Sequence, residues 1–201
     1  MNPIAEQYIA GLKKAYFENN GGVIWEHFEK IKHGLAEAHV QRLKELYPDI
    51  PDALISLLKY VDGTYWQEYE GEKIAQYILG SDMEEYPYYL LSSGEIIENQ
   101  EIAVKYYSDY IEREYDEVEI DEKITDTAKD LKWLHFSDCM NNGGTSQLFI
   151  DFSPSAKGTK GQIVRFLHDP DEFSVIADSF EEYLQMLMDK EYDFINEDLL
   201  E

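Results

Sequence analysis

Leu131-Lys132-Trp133-Leu134-His135-Phe136-Ser137-Asp138-Cys139-Met140, then Asn141-Asn142-Gly143-Gly144, then Gln147-Leu148-Phe149-Ile150-Asp151-Phe152, is the stretch whose reading decides the fold. Two apolar runs joined by an Asn/Gly cluster predict a β-hairpin, because Asn and Gly tolerate the positive φ of a reversing turn. In the second run Leu148, Ile150 and Phe152 alternate with Gln147, Phe149 and Asp151, which predicts one apolar face and one mixed face. Pro154, Gly158 and Gly161 mark a loop, after which Gln162 to Leu167 returns as a third strand. Beyond the Asp169-Pro170-Asp171 turn, Phe173 to Ala177 reads as a short fourth strand. Asp178, with Glu181 three residues on, is expected to cap a helix, and Phe180, Tyr183, Leu184 and Leu187 form its single apolar stripe. The expected fold is α+β, a mostly antiparallel sheet flanked by helices.

Working outward toward the N-terminus, Ile4, Tyr8, Leu12 and Ala15 recur at helical spacing, so Pro3 to Glu18 is expected to be a helix that Asn19-Asn20-Gly21-Gly22 ends. Trp25, Phe28 and Ile31 start another apolar face, and Val40, Leu43, Leu46 and Tyr47 carry a helix from about Ala36 to Tyr47. Pro51 opens the next helix, because its missing N–H is not needed there, and Asp52 favours the positive helix end. Its stripe is Leu54, Leu57, Leu58 and Val61, and Gly63 is its stop. Ile74 to Leu79 reads as a strand, and Ser92 with Glu95 as a capping box before one helix bearing Ile96, Ala103, Tyr107, Tyr110 and Ile111.

Several of these signals together resemble the SUKH superfamily. Trp133, Asp138 and the Gly-rich turn precede a strand ending Ile150-Asp151; Gly158, Gly161-Gln162-Ile163, Ala177-Asp178-Ser179-Phe180 and Tyr183-Leu184 follow in order. The helix opened by Pro51 and closed by Asp62-Gly63 resembles the superfamily's N-terminal signature, with Asp-Gly where Asn-Gly is more usual. Leu91-Ser92-x-x-Glu95-Ile96 is similar to its helix-entry pattern. The resemblance implies a single SUKH-like domain over residues 23–188, with a helical extension at 1–22, an acidic insertion at 112–130 and an acidic tail at 189–201 read as a frayed helix end. That superfamily contains fungal regulators of cell-wall glucan synthesis and many bacterial immunity proteins, so it implies a protein-binding role of one kind or the other.

Acids number 42 against 17 lysines and arginines, a formal charge of −25. Such a surface repels nucleic acid phosphates and anionic lipid, and it favours a basic protein partner or serves solubility alone. Between Glu98 and Asp126 there are eleven acids and three bases. The single Cys139 excludes an internal disulfide and a multi-Cys zinc cluster, which fits a reducing compartment. Met1 to Phe17 has no uninterrupted apolar region and no run is long enough to cross a membrane, so a cytoplasmic protein is expected.

Chemistry is sought and mostly not found. His27, His33, His39, His135 and His168 form no metal motif, since none is four residues from another, and they read as structural. Cys139 with His135 or His168 as base lacks an elbow or oxyanion glycines. Gly158-Thr159-Lys160-Gly161 lacks the Gly-Lys-Ser/Thr ending of a phosphate loop, and the acidic runs lack the glycine and distal glutamate of a calcium loop. No catalytic residue, metal ligand or cofactor is assigned, and the expectation is a protein without enzymatic activity. Tyr65, Trp66, Tyr86, Tyr88 and Tyr89 lie in segments that read as loops. They either plug the core or, exposed together beside the acidic insertion, make an aromatic patch with a negative rim. The candidate partner-binding residues are Tyr65 and Trp66, with Asp116, Glu117 and Glu119 as steering charges. Asp138 and Asp151 are secondary candidates, which turn and strand-end roles explain equally well. The resemblance points to an immunity protein that occludes a basic, for example nuclease, toxin domain; the alternative is an intracellular regulator or scaffold.

Overall fold

A computed structural model of the chain describes residues 1–69, 71–84, 86–140, 146–196 and 200. Four helices come first: α1 (Pro3–Glu18), α2 (Gly22–Ile31), α3 (Glu37–Leu46) and α4 (Asp52–Tyr60). Asn2 caps α1 by accepting the Ile4 N–H at 3.1 Å, and Pro3 takes a first-turn position where no N–H is needed. The left-handed Asn20 (φ 63°) then reverses the chain into α2. Gly63 (φ 90°) closes the turn after α4, and a Cβ there would stand 2.7 Å from that of Ser92. Asp62 fixes the same turn, because its carboxylate accepts both the Ser93 N–H (2.7 Å) and the Ser93 hydroxyl (2.9 Å). Aspartate at this position thus holds two donors, which accounts for Asp-Gly here.

Among the described residues, the rest of the chain builds two sheets. β1 (Tyr65–Tyr69) and β2 (Glu72–Ala75) form an antiparallel hairpin. A six-stranded sheet follows from β3 (Tyr88–Leu90), β4 (Glu119–Ile120), β5 (Trp133–Cys139), β6 (Ser146–Asp151), β7 (Gln162–Leu167) and β8 (Glu172–Ala177), in the order β3-β5-β6-β7-β8-β4. All pairings are antiparallel except β4 with β8, so the fold is α+β with a mostly antiparallel sheet. Helices α5 (Ser93–Glu98) and α6 (Ile102–Ile111) link β3 to β4, and α7 (Phe180–Asp189) follows β8. The Asn141-to-Gly144 turn lies outside the described residues.

Strand alternation divides the interior in two. Leu148, Ile150 and Ile163 face the main core with α1–α4 and α7, where Phe180, Tyr183, Leu184 and Leu187 are all buried. Phe149, Val164, Phe166 and Phe173 face the other way, against Tyr107 and Ile111 of α6. The face expected to be mixed is therefore a second core, and every residue of β6 is buried because α6 covers the sheet. α1 also belongs to the main core: Tyr8 and Tyr16 donate their hydroxyls to the carbonyls of Ile78 and Tyr77, each at 2.7 Å.

Four expectations are corrected. The α7 cap is Ser179, whose Oγ accepts the Glu182 N–H at 3.1 Å; Asp178 stands one residue outside, since Ser179 is the last extended residue. The helix after Ser92 is two helices, α5 and α6, separated at Asn99–Glu101. Ile74 to Leu79 is not one strand, because Gln76 turns to donate its N–H to Thr64 (2.8 Å) and only Leu79 bridges to Tyr88. The segment after α7 is no frayed end through residue 196. Left-handed Glu191 and Tyr192 (φ 54° and 59°) turn Tyr192, Phe194 and Ile195 into the core, where the Tyr192 hydroxyl donates to the Tyr8 carbonyl at 2.9 Å. The acidic insertion, whose order the sequence leaves open, is anchored: Ile124 and Ala128 are buried, and Ile120 pairs with Phe173 of β8.

The capping box at Ser92 is complete. Ser92 Oγ accepts the Glu95 N–H (3.2 Å) and the Glu95 carboxylate accepts the Ser92 N–H (2.7 Å). Ser92→Ala is expected to lower stability by about 1 kcal/mol in urea denaturation, the usual cost of losing such a cap. An unchanged midpoint would show that the α5 end resolvates freely.

Candidate interaction surface

The edge formed by α6, the following turn and β4 has an unusual charge arrangement. Arg113, left-handed at φ 57°, is the only base between Lys105 and Lys123. Its guanidinium turns inward and donates to the carbonyls of Ile111, Thr125 (2.7 Å) and Ile124 (3.2 Å). It thereby ties the two ends of the acidic segment together, and it forms no ion pair among the described residues. Asp109, Glu112, Glu114, Asp116, Glu117 and Glu119 are all exposed, and none has an ion-pair partner among the described residues.

Rings lie among these charges. Tyr106 is 57% and Tyr115 43% exposed, and Tyr110 is half-buried between surface and core. Tyr110 lies 5.1 Å from the Tyr115 ring and 5.9 Å from Phe173, so a ladder of rings connects the second core to solvent. Tyr106 and Tyr110 stand one helical turn apart, and Lys105 Nζ already sits 4.8 Å from the Tyr106 ring centroid. Chemically, this edge offers flat apolar contact surrounded by uncompensated negative charge.

Beneath α6 runs a buried polar chain. The β5–β6 register shifts between His135 and Ser137, and this bulge brings His135 and Asp138 to one face although their spacing would otherwise separate them. His135 Nε2 lies 2.9 Å from Asp138 Oδ1, which also accepts from Gln147 Nε2 at 2.9 Å. Asn99 Nδ2 meets His135 Nδ1 at 3.2 Å, and the Tyr107 hydroxyl donates to Gln147 Oε1. Every member has a partner, which is the condition for a buried polar network to fix a packing arrangement. Cys139 is fully buried and faces the opposite, main core, so it does not meet His135. Among the described residues no cluster of His, Cys, Asp and Glu is placed to hold a metal ion, and no helix is long and apolar enough to cross a membrane.

At the β7–β8 turn His168 Nδ1 lies 2.5 Å from Asp171 Oδ1. That hydrogen bond, with the carboxylate charge behind it, raises the His168 imidazole above its ordinary value. Burial pushes Asp171 up, but hydrogen bonds from His168 and Tyr110 outweigh it and hold its carboxyl below the usual range. The His168 contribution is full below its unfolded value of about 6.5 and is lost as pH rises through the raised folded value. The Asp171 contribution is present above about 3.9 and is lost as pH falls through the lowered folded value. A proton NMR titration is expected to place the His168 midpoint above that of a free imidazole, and Asp171→Asn to bring it back. A midpoint that the substitution does not move would sink the pairing.

A protein-family model for the SMI1 / KNR4 family (SUKH-1) matches residues 34–186. The chain belongs to this family. No curated protein matches it. The SUKH-1 match begins at Gly34, whose Cβ position would lie 1.9 Å from the Lys59 carbonyl oxygen, and ends within α7. α1 and α2 precede the matched region.

Within the SUKH-1 domain the residues singled out from sequence do not form one site. Asp116, Glu117 and Glu119 lie on the α6–β4 edge. Tyr65 and Trp66 lie on β1, not in a loop, and the neighbouring Thr64 N–H donates to Leu90 of β3, at the opposite end of the sheet order. Trp66 is 58% exposed at a bulge (φ 49°), whereas Tyr65 packs tilted against Tyr89 with ring centres 4.7 Å apart. Tyr88 and Tyr89 are buried, so the five aromatics do not make a surface patch. Asp138 is engaged in the buried chain above. Asp151 is fully buried, accepts the Ser153 N–H (2.7 Å) and Gln162 Nε2 (3.0 Å), and has its pKa raised by burial; no partner surface reaches it. The rings that do accompany the acids, Tyr106, Tyr110 and Tyr115, escaped the sequence reading. The signal was their interleaving with Asp109, Glu112, Glu114 and Asp116, masked by placing Tyr110 with Tyr107 on the buried stripe.

Proposed function

We propose that this SUKH-1 protein is a non-enzymatic binding module, an immunity protein of the cytoplasm that neutralises a basic toxin domain by occlusion. The observation that carries the reading is the α6–β4 edge, six exposed carboxylates without ion-pair partners among the described residues, around Tyr106, Tyr110 and Tyr115, with Arg113 turned inward. A toxin acting on nucleic acid presents a basic substrate surface, which this edge complements. Long-range attraction sets the association rate, and desolvated tyrosines set the residence time. The protein transforms no substrate; covering the partner is the whole of its action.

The test is protection. Cells making a basic toxin domain encoded beside this gene are expected to survive when the chain is co-expressed, and the two proteins to co-elute at low salt and separate at high salt. The competing reading is an intracellular regulator or scaffold, as the resemblance to fungal cell-wall regulators implies. It prevails if no toxin is countered and the chain holds an endogenous partner whose loss changes wall synthesis.

A further inference from the structure

We propose that the outer face of α2 with the end of α1 is a self-association surface, through which two copies of this chain pair about a two-fold axis. Three large apolar side chains stand in solvent here: Phe17 is 45%, Val23 80% and Ile24 38% exposed. Val23, Glu26 and Lys30 follow one another at helical spacing along the outer side of α2, away from the buried Trp25, Phe28 and Ile31. Glu26 and Lys30 are exposed, and neither has an ion-pair partner among the described residues. Lys13 lies over the Phe17 ring at 5.7 Å.

Charge identifies the occupant. A two-fold interface sets a patch against itself, so the patch must be its own complement. Residues 61–201 hold 34 acids and 10 bases, and surfaces drawn from them repel their own copies. Residues 1–60 hold eight acids and seven bases, a net charge of −1. The face around Val23 combines apolar side chains with one acid, Glu26, and two bases, Lys13 and Lys30, none of them ion-paired among the described residues, so it meets a second copy as a mixed-charge surface that is close to neutral. It also lies before Gly34, outside the family-matched region, and α2 packs on the main core, the side of the sheet opposite α6. Pairing there leaves both α6–β4 edges open.

Sedimentation velocity of the full chain over a concentration series at physiological salt tests this. The expected result is a monomer–dimer equilibrium that Val23→Glu weakens about tenfold or more, with an unchanged circular dichroism spectrum. Glu26→Lys, which makes the face singly charged, is expected to weaken pairing, and Glu26→Lys with Lys30→Glu to restore it. Asp116→Lys on the far edge leaves it unchanged. A monomer at every concentration overturns the proposal, as does a dimer indifferent to Val23→Glu. If the chain stays monomeric while Val23→Glu abolishes capture of the basic partner, the face belongs to that partner and the second-copy assignment falls.

Discussion

Arg165→Met lowers the unfolding free energy by about 3–5 kcal/mol, the usual cost of removing one member of a buried charge cluster. Arg165 stands on β7 and is only 3% exposed. Its Nε donates to Asp82 Oδ1 at 2.6 Å and its Nη2 to Asp82 Oδ2 at 3.1 Å and to Glu172 Oε1 at 2.8 Å. One guanidinium therefore joins the loop after Leu79 to the start of β8, and Lys190 Nζ holds the same loop through the Asp82 carbonyl at 2.9 Å. Methionine fills the space of the side chain but leaves two half-buried carboxylates facing each other. Asp82→Asn with Glu172→Gln in the Met variant is expected to recover much of the loss, because the penalty lies in the unpaired charges more than in the missing bonds. Glu172 adds a pH signature. The Ser174 hydrogen bond, with Arg165 behind it, holds its carboxyl below the usual range. Its share of stability is present above the ordinary glutamate value and disappears as pH falls through the lowered one. Urea denaturation of the three proteins decides the matter, and a loss below about 1 kcal/mol for the single variant would show that water reaches both carboxylates.

Charge reversal on the α6–β4 edge gives the second large effect. Asp116→Lys, Glu117→Lys and Glu119→Lys together are expected to slow association with the basic partner by about one to two orders of magnitude at low salt, and to flatten its salt dependence. Tyr115→Ala is expected to act on the other rate, shortening the complex lifetime about tenfold or more, as truncating an interface ring does. The fold tolerates these changes, since all four side chains are exposed and the segment is held by Arg113, Ile120 and Ile124. Trp66→Ala, on the β1–β2 hairpin beside β3 and away from β4, is the control and is expected to leave both rates alone. Kinetics by surface plasmon resonance would refute the assignment if Trp66→Ala proved the more damaging change.

The elements with local signatures were legible from the residues alone. Pro3 to Glu18 is α1 to the residue, the Ser92–Glu95 box is present with both bonds, and Gln162 to Leu167 is β7. What stayed hidden depended on distant partners. β4 is two residues long and pairs in parallel with a strand more than fifty positions away, so nothing local marks Glu119–Ile120 as part of the sheet. Glu191 and Tyr192 adopt left-handed backbone that neither residue type announces, and the chain beyond α7 therefore reads as a polar end. The same limitation affected the interaction surface. Acids at 116–119 are visible in composition, but which rings stand beside them is set by the covering of the sheet by α6, and that is a tertiary fact.

Arg113 has a consequence for energetics that runs against its charge. Removing it makes the acidic segment still more negative, which favours encounter with a cationic partner. Yet its three carbonyl contacts close the loop from Ile111 to Thr125 in the unbound protein. A loop already closed has little backbone freedom left to surrender on complex formation, whereas a released one must be ordered at that moment. The residue of the wrong sign for attraction is thus the one that keeps the surface preorganised.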